Sequence, residues 1–301
     1  MRYDDNHQCT LNYSFDHDLD GGRSPYIYAA SAVVCTVSSQ PSLALTGVTE
    51  GKPRSTANWR ELAVTARVTQ NGVPVAGKGV NYKLTAKAGP DGHDHSNLST
   101  KPVGFIVAGV TNAVGELKSA HIPSEFSGIY SVEASCDGCS NKATLDVAVR
   151  VPDLVELTPD AANPPAYTLV GETTSHGRNH YFSVPAKDAL NLLIGVMSGL
   201  GWGNPGINDA SIVWGGSFDI GGGWGSSHGG HREGTEVDIS FLRPGLIEPA
   251  LRQKSFDDLK KGKLRLSPQV LWHQFDNANT GSKAHFHVYL LGQRASAITQ
   301  Y

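Results

Sequence analysis

The sequence predicts two domains of different class: an all-β sandwich over residues 42–151 and an α+β domain with an antiparallel sheet over residues 167–301. Three observations lead there. At 301 residues the chain exceeds the length at which a single hydrophobic core keeps growing. Short alternating apolar runs separated by turn residues fill the stretch after Ser42, and a helical period first emerges near Ala186. Between these regions Pro152, Pro159, Pro164 and Pro165 crowd residues 152–166 into an extended, semi-rigid linker.

Residues 1–41 form an N-terminal arm, tied down if Cys9 and Cys35 pair. In the sandwich region, Leu62 to Thr69 alternates, Gln70-Asn71-Gly72 turns, and Val80 to Ala86 alternates again. Asn-Gly between two such runs is a strong hairpin signal. Further strands are expected at Gly104 to Val110, Gly115 to Ala120, Gly128 to Ala134 and Ala143 to Val151, a strand count that suits a two-sheet sandwich. In the second domain Ala189, Leu192, Leu193, Val196 and Leu200 recur at helical spacing behind Pro185, a residue favoured in a first helical turn. A weaker helix is expected from Glu248 to Lys260, and strands at Thr235 to Phe241, Gln269 to Phe275 and Ala284 to Leu291.

A formal net charge of −3 with only 18% charged residues leaves no basic footprint for nucleic acid. Apolar runs such as Leu192 to Met197 fall far short of the roughly 20 residues a transmembrane helix needs, so no membrane span is expected. The first residues are polar and show no signal-peptide h-region. Cys136-Asp-Gly-Cys139 lies between two alternating runs and reads as a hairpin turn closed by a bridge, which leaves Cys9 and Cys35 as the second pair. A four-thiolate zinc site is the competing reading, but it usually shows two CxxC pairs. Disulfides imply an oxidising compartment, hence a periplasmic or extracellular location.

Fifteen of the 34 glycines fall between Gly195 and Gly245, where loops must turn tightly and can present a site. This stretch contains His228, His231 and Asp238, and a later segment adds His285-Phe-His287. Alternation along a strand puts His285 and His287 on one face. Asp238, flanked by Val237 and Ile239 that should face the core, would point to the same cleft as His231. Two imidazoles and a carboxylate suit Zn²⁺, and three protein ligands leave a fourth position for water, the catalytic pattern. A lone HxH in a strand is usually structural. It is the combination of HxH, HxxH and HxxxxxxD in one glycine-rich domain that argues for a metal.

Two resemblances attach to these residues. Gly72-Val-Pro-Val-Ala-Gly-Lys-Gly-Val80, with Thr111-Asn-Ala-Val-Gly-Glu116 and Ser127-Gly-Ile-Tyr-Ser-Val132, resembles bacterial immunoglobulin-like domains, which implies a cell-surface or protein partner for the sandwich. Ser227-His228-x2-His231-x2-Gly234-x3-Asp238, together with His285-Phe-His-Val-Tyr-Leu290, resembles the zinc peptidases that include D-Ala-D-Ala carboxypeptidases, penicillin-insensitive murein endopeptidases and the hedgehog domain, and is nearest the murein endopeptidases. That resemblance, over about residues 180–291, implies one Zn²⁺ per chain held by His231, Asp238 and His287. It implies that His285 assists proton transfer or stabilises the tetrahedral intermediate, and that His228 lines the site. The implied substrate is a peptidoglycan stem peptide cross-linked through D-Ala. A carboxypeptidase and a non-enzymatic, zinc-stabilised binding or adhesion protein are the alternatives.

This sequence departs from the group at Ser282, where members often carry Glu or His, and His273, Glu233 and Glu236 are the alternatives for a general base. Asp209 and Asp219, on the loop carrying Trp214, could bind a substrate ammonium, and Trp214 suits core packing or cleft lining equally. His93 and His95 sit in a turn-rich loop, and Asp16 to Ile27 lacks the closing Glu of a calcium loop. If both cysteine pairs are oxidised, thiol titration of the unfolded, unreduced protein will find almost none. Four reactive thiols would contradict the compartment assignment.

Overall fold

The structure is a computed structural model that describes residues 7–10, 34–37, 39–87, 104–159, 167–172, 178–199, 204–217, 230–240, 271–275 and 285–290. Strands β1 (His7–Thr10) and β2 (Val34–Val37) pair antiparallel with Cys9 opposite Cys35, the register a bridge between them requires. The sandwich follows as β3 (Ser42–Gly47), β4 (Glu50–Gly51), β5 (Leu62–Gln70), β6 (Val73–Pro74), β7 (Gly79–Lys87), β8 (Phe105–Ile106), β9 (Gly109–Val110), β10 (Glu116–Ile122), β11 (Gly128–Cys136) and β12 (Ala143–Val149).

One sheet runs β3-β5-β10-β8 with β6 appended to β5, and the other runs β4-β12-β11-β7-β9. This is the strand order of an immunoglobulin-like sandwich. Alternation places Leu62, Val64, Ala66 and Val68 of β5 inward against Tyr130, Val132 and Ala134 of β11 and Val147 and Val149 of β12. The Tyr130 hydroxyl donates to the Phe126 carbonyl at 2.8 Å, the corner bond typical of such sandwiches, and burial pushes its phenol up to about 12. Across the open end, the Asn141 side chain accepts from Leu43 N–H at 2.9 Å and donates to the Leu43 carbonyl at 2.8 Å, joining the β11–β12 hairpin to β3. Cys136 and Cys139 close that hairpin as a disulfide.

Asn71 and Gly72 both take positive φ, 52° and 79°, in the expected two-residue turn. The turn does not join β5 to β7, however. It returns the chain only as far as the two-residue β6, after which β7 crosses to the other sheet and pairs with β11. Tyr82 and Leu84 of β7 pack into the second-sheet half of the core, and that burial decides which sheet β7 joins.

The expected linker holds ordered structure. Within it β13 (Leu154–Glu156) pairs with β15 (Tyr181–Ser183), and Leu157 is buried in the core of the second unit; residues 160–166 lie outside those described. Three residues are too few for alternation to be read, so the prolines dominate the sequence signal. Strand β14 (Thr168–Leu169) precedes β15, and helix α1 (Val184–Gly199) follows it, buries Ala186, Ala189, Leu190, Leu193 and Met197, and carries Pro185 in its first turn. Then come β16 (Gly206–Ile207), β17 (Glu236–Ser240), β18 (Leu271–Phe275) and β19 (His285–Tyr289). With β14 they form one sheet of order β14-β16-β17-β19-β18. Its β14–β16 pair is parallel, a departure from the expected antiparallel sheet, and the expected helix at 248–260 lies outside the described residues. Among the described residues the chain is mostly β-sheet, α1 is its one α-helix, and no helix is long and apolar enough to cross a membrane.

His121 of β10, between Leu62 of β5 and Ile106 of β8, is fully buried, with neither ring nitrogen hydrogen-bonded. Burial lowers its pKa to about 4 from the ordinary 6.5. Because the folded value is the lower one, the unfolded chain binds the proton first. Stability is therefore intact above about pH 6.5, falls as pH drops towards 4, and has lost about 3 kcal/mol below that. Urea unfolding at pH 7, 5 and 4 should show His121→Leu gaining on the parent protein as pH falls. A constant difference would contradict the assignment.

Candidate metal centre

The centre is built on β17. Val237 and Ile239 are buried in the core that α1 covers, so the period of two sets Glu236 and Asp238 on the other face. Antiparallel pairing puts Val288 opposite Val237, His287 opposite Asp238, and His285 opposite Ser240. Both histidines of the HxH pair therefore hold register positions on the carboxylate face, with His287 directly across from Asp238. On its other side Asp238 is held by its backbone, its N–H donating to the Asp209 carbonyl at 2.9 Å and its carbonyl accepting from Asn208 N–H at 2.7 Å.

His231 begins a single 3-10 turn, His231–Glu233, that ends at Gly234 with φ 66° just before β17. Its ring is buried at 3% exposure, and Nδ1 lies 2.9 Å from the Ala210 carbonyl oxygen. A carbonyl only accepts, so Nδ1 carries a proton there, and Nε2 is the ring nitrogen that could ligate a metal. Nε2 is 3.6 Å from Asp238 Oδ1, too long for a hydrogen bond. Two atoms bound to one tetrahedral Zn²⁺ at about 2.0–2.2 Å stand about 3.3–3.6 Å apart, so the separation suits a shared cation. Fixing one imidazole nitrogen on a backbone carbonyl is also how metal-binding histidines are commonly oriented. The residues present thus fit zinc at two of the three expected ligands. Among the described residues no three His, Cys, Asp or Glu side chains converge, and the side chains of His285 and His287 lie outside that set.

A second carboxylate approaches that the sequence linked only to a substrate ammonium. Asp209 accepts from Asn179 Nδ2, and burial and the Asp238 charge raise its pKa, against which His231 acts. Nothing periodic marks this residue in the sequence, since it reaches the site through loop backbone pairing with β17. Of the alternatives for a general base, Glu236 is buried at 1% exposure and packs its carboxylate where a side chain on Gly230 would stand, while Glu233 turns away to accept from Ala57 N–H of the sandwich. His273 lies in β18 beside a register irregularity. Trp214 sits at the junction with the sandwich, its carbonyl accepting from Val151 N–H at 2.9 Å and its ring 5.7 Å from the Arg150 guanidinium. His228 and Asp219 lie outside the described residues, as do His93, His95 and residues 16–27.

No family model matches the chain, and no curated protein matches it. Three solved structures show some likeness. The D00-D0 domain of intimin is 16% identical over 38% of this chain and 50% of its own, with a TM-score of 0.26. The PKD domain of an M14-like peptidase from a Thermoplasmatales archaeon is 17% identical over 37% of this chain and 97% of its own, at 0.22. The Yersinia pseudotuberculosis adhesin InvE is 12% identical over 54% of this chain and 57% of its own, at 0.33. The chain thus spans about half the length of the intimin fragment and of the adhesin. The immunoglobulin-like sandwich is identified by the order of its own sheets and its tyrosine corner, independently of these likenesses.

The raised Asp209 pKa has a sign that can be measured on metal-free protein. A carboxyl with a folded value above its unfolded one costs stability as pH rises through that folded value. Asp209→Asn should therefore raise the apoprotein Tm at pH 7 relative to pH 4, and should weaken Zn²⁺ binding because a nearby negative charge is gone. A variant with unchanged apoprotein Tm at both pH values would contradict the repulsion between Asp209 and Asp238.

Proposed function

We propose that the protein is a zinc-dependent peptidoglycan peptidase that cleaves D-Ala-containing peptide cross-links, working in the periplasm or outside the cell. The observation that carries this reading is the spacing of His231 Nε2 and Asp238 Oδ1, 3.6 Å apart with His287 at the paired position across β19. Bound there, Zn²⁺ supplies a Lewis acid that polarises a peptide carbonyl and makes water a nucleophile near neutral pH. His231, Asp238 and His287 would hold it. Ala210 orients the His231 ring, and the Asp209 carboxylate adds negative charge that favours a cation over a bare site. His285 holds a register position two residues along β19 from His287, about 7 Å along the strand, on the same face. It would assist proton transfer to the departing amide nitrogen or stabilise the tetrahedral intermediate. Glu233 is engaged with the sandwich, which leaves Glu236 and His273 as the remaining alternatives for a base. The Cys136–Cys139 disulfide supports the oxidising location.

The test is mass spectrometry of purified cross-linked murein after incubation with the full chain and equimolar Zn²⁺. Cross-linked dimers should give way to monomers. Consumption of free pentapeptide stems instead would favour a carboxypeptidase, and stoichiometric zinc with neither substrate consumed would contradict the enzymatic reading in favour of a binding protein. Within the site, His287→Ala should lose zinc and activity together, as should His231→Ala and Asp238→Ala. His285→Ala should retain zinc and lose about 10²- to 10⁴-fold in turnover. Equal zinc loss in both HxH variants would overturn the division between ligand and proton donor.

A further inference from the structure

The turn that carries His231 is gripped by the sandwich. Arg232 Nη1 donates to the Ser55 carbonyl at 3.1 Å, and Glu233 accepts from Ala57 N–H, so each of the two residues after His231 is bonded to the segment that follows Pro53. That segment is a tight turn closed by Thr56, whose N–H and hydroxyl both donate to the Pro53 carbonyl, at 3.0 and 2.7 Å. Ser55 lies at its centre, with its hydroxyl donating to the Glu125 carbonyl at 2.6 Å and accepting from Ser217 N–H at 3.0 Å.

Behind this turn lies a second connection. Gly216 N–H donates to the Arg232 carbonyl at 2.8 Å, and Gly216 bridges to Phe126, whose carbonyl receives the buried Tyr130 hydroxyl. The Trp214-Gly215-Gly216 loop is thereby wedged between the two units. Gly215 and Gly216 have φ of 68° and 79°, and a Cβ on Gly215 would stand 2.6 Å from both the Arg232 carbonyl oxygen and Val151 Cγ2. Only glycine fits there without displacing the backbone that follows His231.

We infer that the sandwich is a working part of the metal centre: Arg232 and Glu233 are positioning residues whose side chains tie the turn to the sandwich and hold the His231 imidazole in register with Asp238. The claim rests on the zinc reading for its consequence and on the junction bonds for its geometry. Within the segment, Glu233 and Thr235 N–H both donate to the Gly230 carbonyl and Gly234 N–H to the His231 carbonyl, while Ser183 N–H of β15 donates to the Gly234 carbonyl and the Ala210 carbonyl receives the His231 ring. The side-chain bonds from Arg232 and Glu233 to the sandwich add to these, and a short turn opens less readily when it is also tied from outside.

The test uses the full chain with Arg232→Ala, Glu233→Ala and Glu233→Gln, the last keeping the acceptor oxygen. Amide hydrogen exchange over residues 231–235 and zinc affinity by chelator competition are read together, with Tm as the check on global folding. Arg232→Ala and Glu233→Ala should speed exchange in that segment and weaken zinc binding about 10-fold or more, the lower end of the usual effect of removing a group that helps orient a metal ligand. Glu233→Gln should restore both. Unchanged exchange in folded Arg232→Ala and Glu233→Ala would overturn the clamp, whether or not the protein binds zinc. Faster exchange with parent-like zinc affinity would overturn the positioning role. Absence of zinc binding in the parent protein would instead overturn the metal centre, leaving the exchange result to decide the clamp alone.

Discussion

The register between β17 and β19 is the constraint on which the second unit depends. Val237, Ile239 and Val288 are fully buried under α1, and a slip of one residue would send them to the opposite face and bring Glu236 and Asp238 into the core. Burying three aliphatic side chains is worth about 1.5–3 kcal/mol each, and burying an unpaired carboxylate costs more than that. The apolar face thus fixes the polar one: Asp238 is set across from His287 because its neighbours have nowhere else to go. The proposed metal centre would thus follow from core packing, which sets the register although both strands are short.

Much of this was legible because it is periodic. Alternation around Val237 and Val288, and the His285-x-His287 spacing, directly report which residues share a face, and the helical period after Pro185 reports α1. The sandwich was legible for the same reason, since each long strand alternates and its turns carry Asn-Gly or Cys-Asp-Gly-Cys. Partner choice was not legible. Asn71-Gly72 announces a hairpin turn, but only the competition for core contacts sends β7 across to pair with β11.

What the sequence hid is carried by backbone groups and by elements too short to show a period. Asp209 approaches Asp238 because Asn208 and Asp209 extend the pairing of β16 with β17, and a peptide carbonyl leaves no mark in a residue pattern. The same holds for Ala210, whose side chain is irrelevant to the carbonyl that orients His231. At the junction Glu125, Trp214 and Gly216 act through main-chain atoms, and Ser55 meets Arg232 through its carbonyl. Glu233, a plausible base by spacing alone, is withdrawn from that role by the Ala57 N–H it accepts. The prolines around residue 152 suggested a spacer, whereas the chain passes almost at once into β13 and the second core.

The central claim is that His231, Asp238 and His287 share one zinc ion. Zinc K-edge X-ray absorption on the metal-loaded full chain tests it most directly. The account predicts a first shell of nitrogen and oxygen only, at about 2.0–2.2 Å, with the multiple-scattering signature of two imidazoles and no sulfur. A shell containing sulfur at about 2.3 Å would assign the metal to cysteines and contradict it, as would a signal with no imidazole scattering at all.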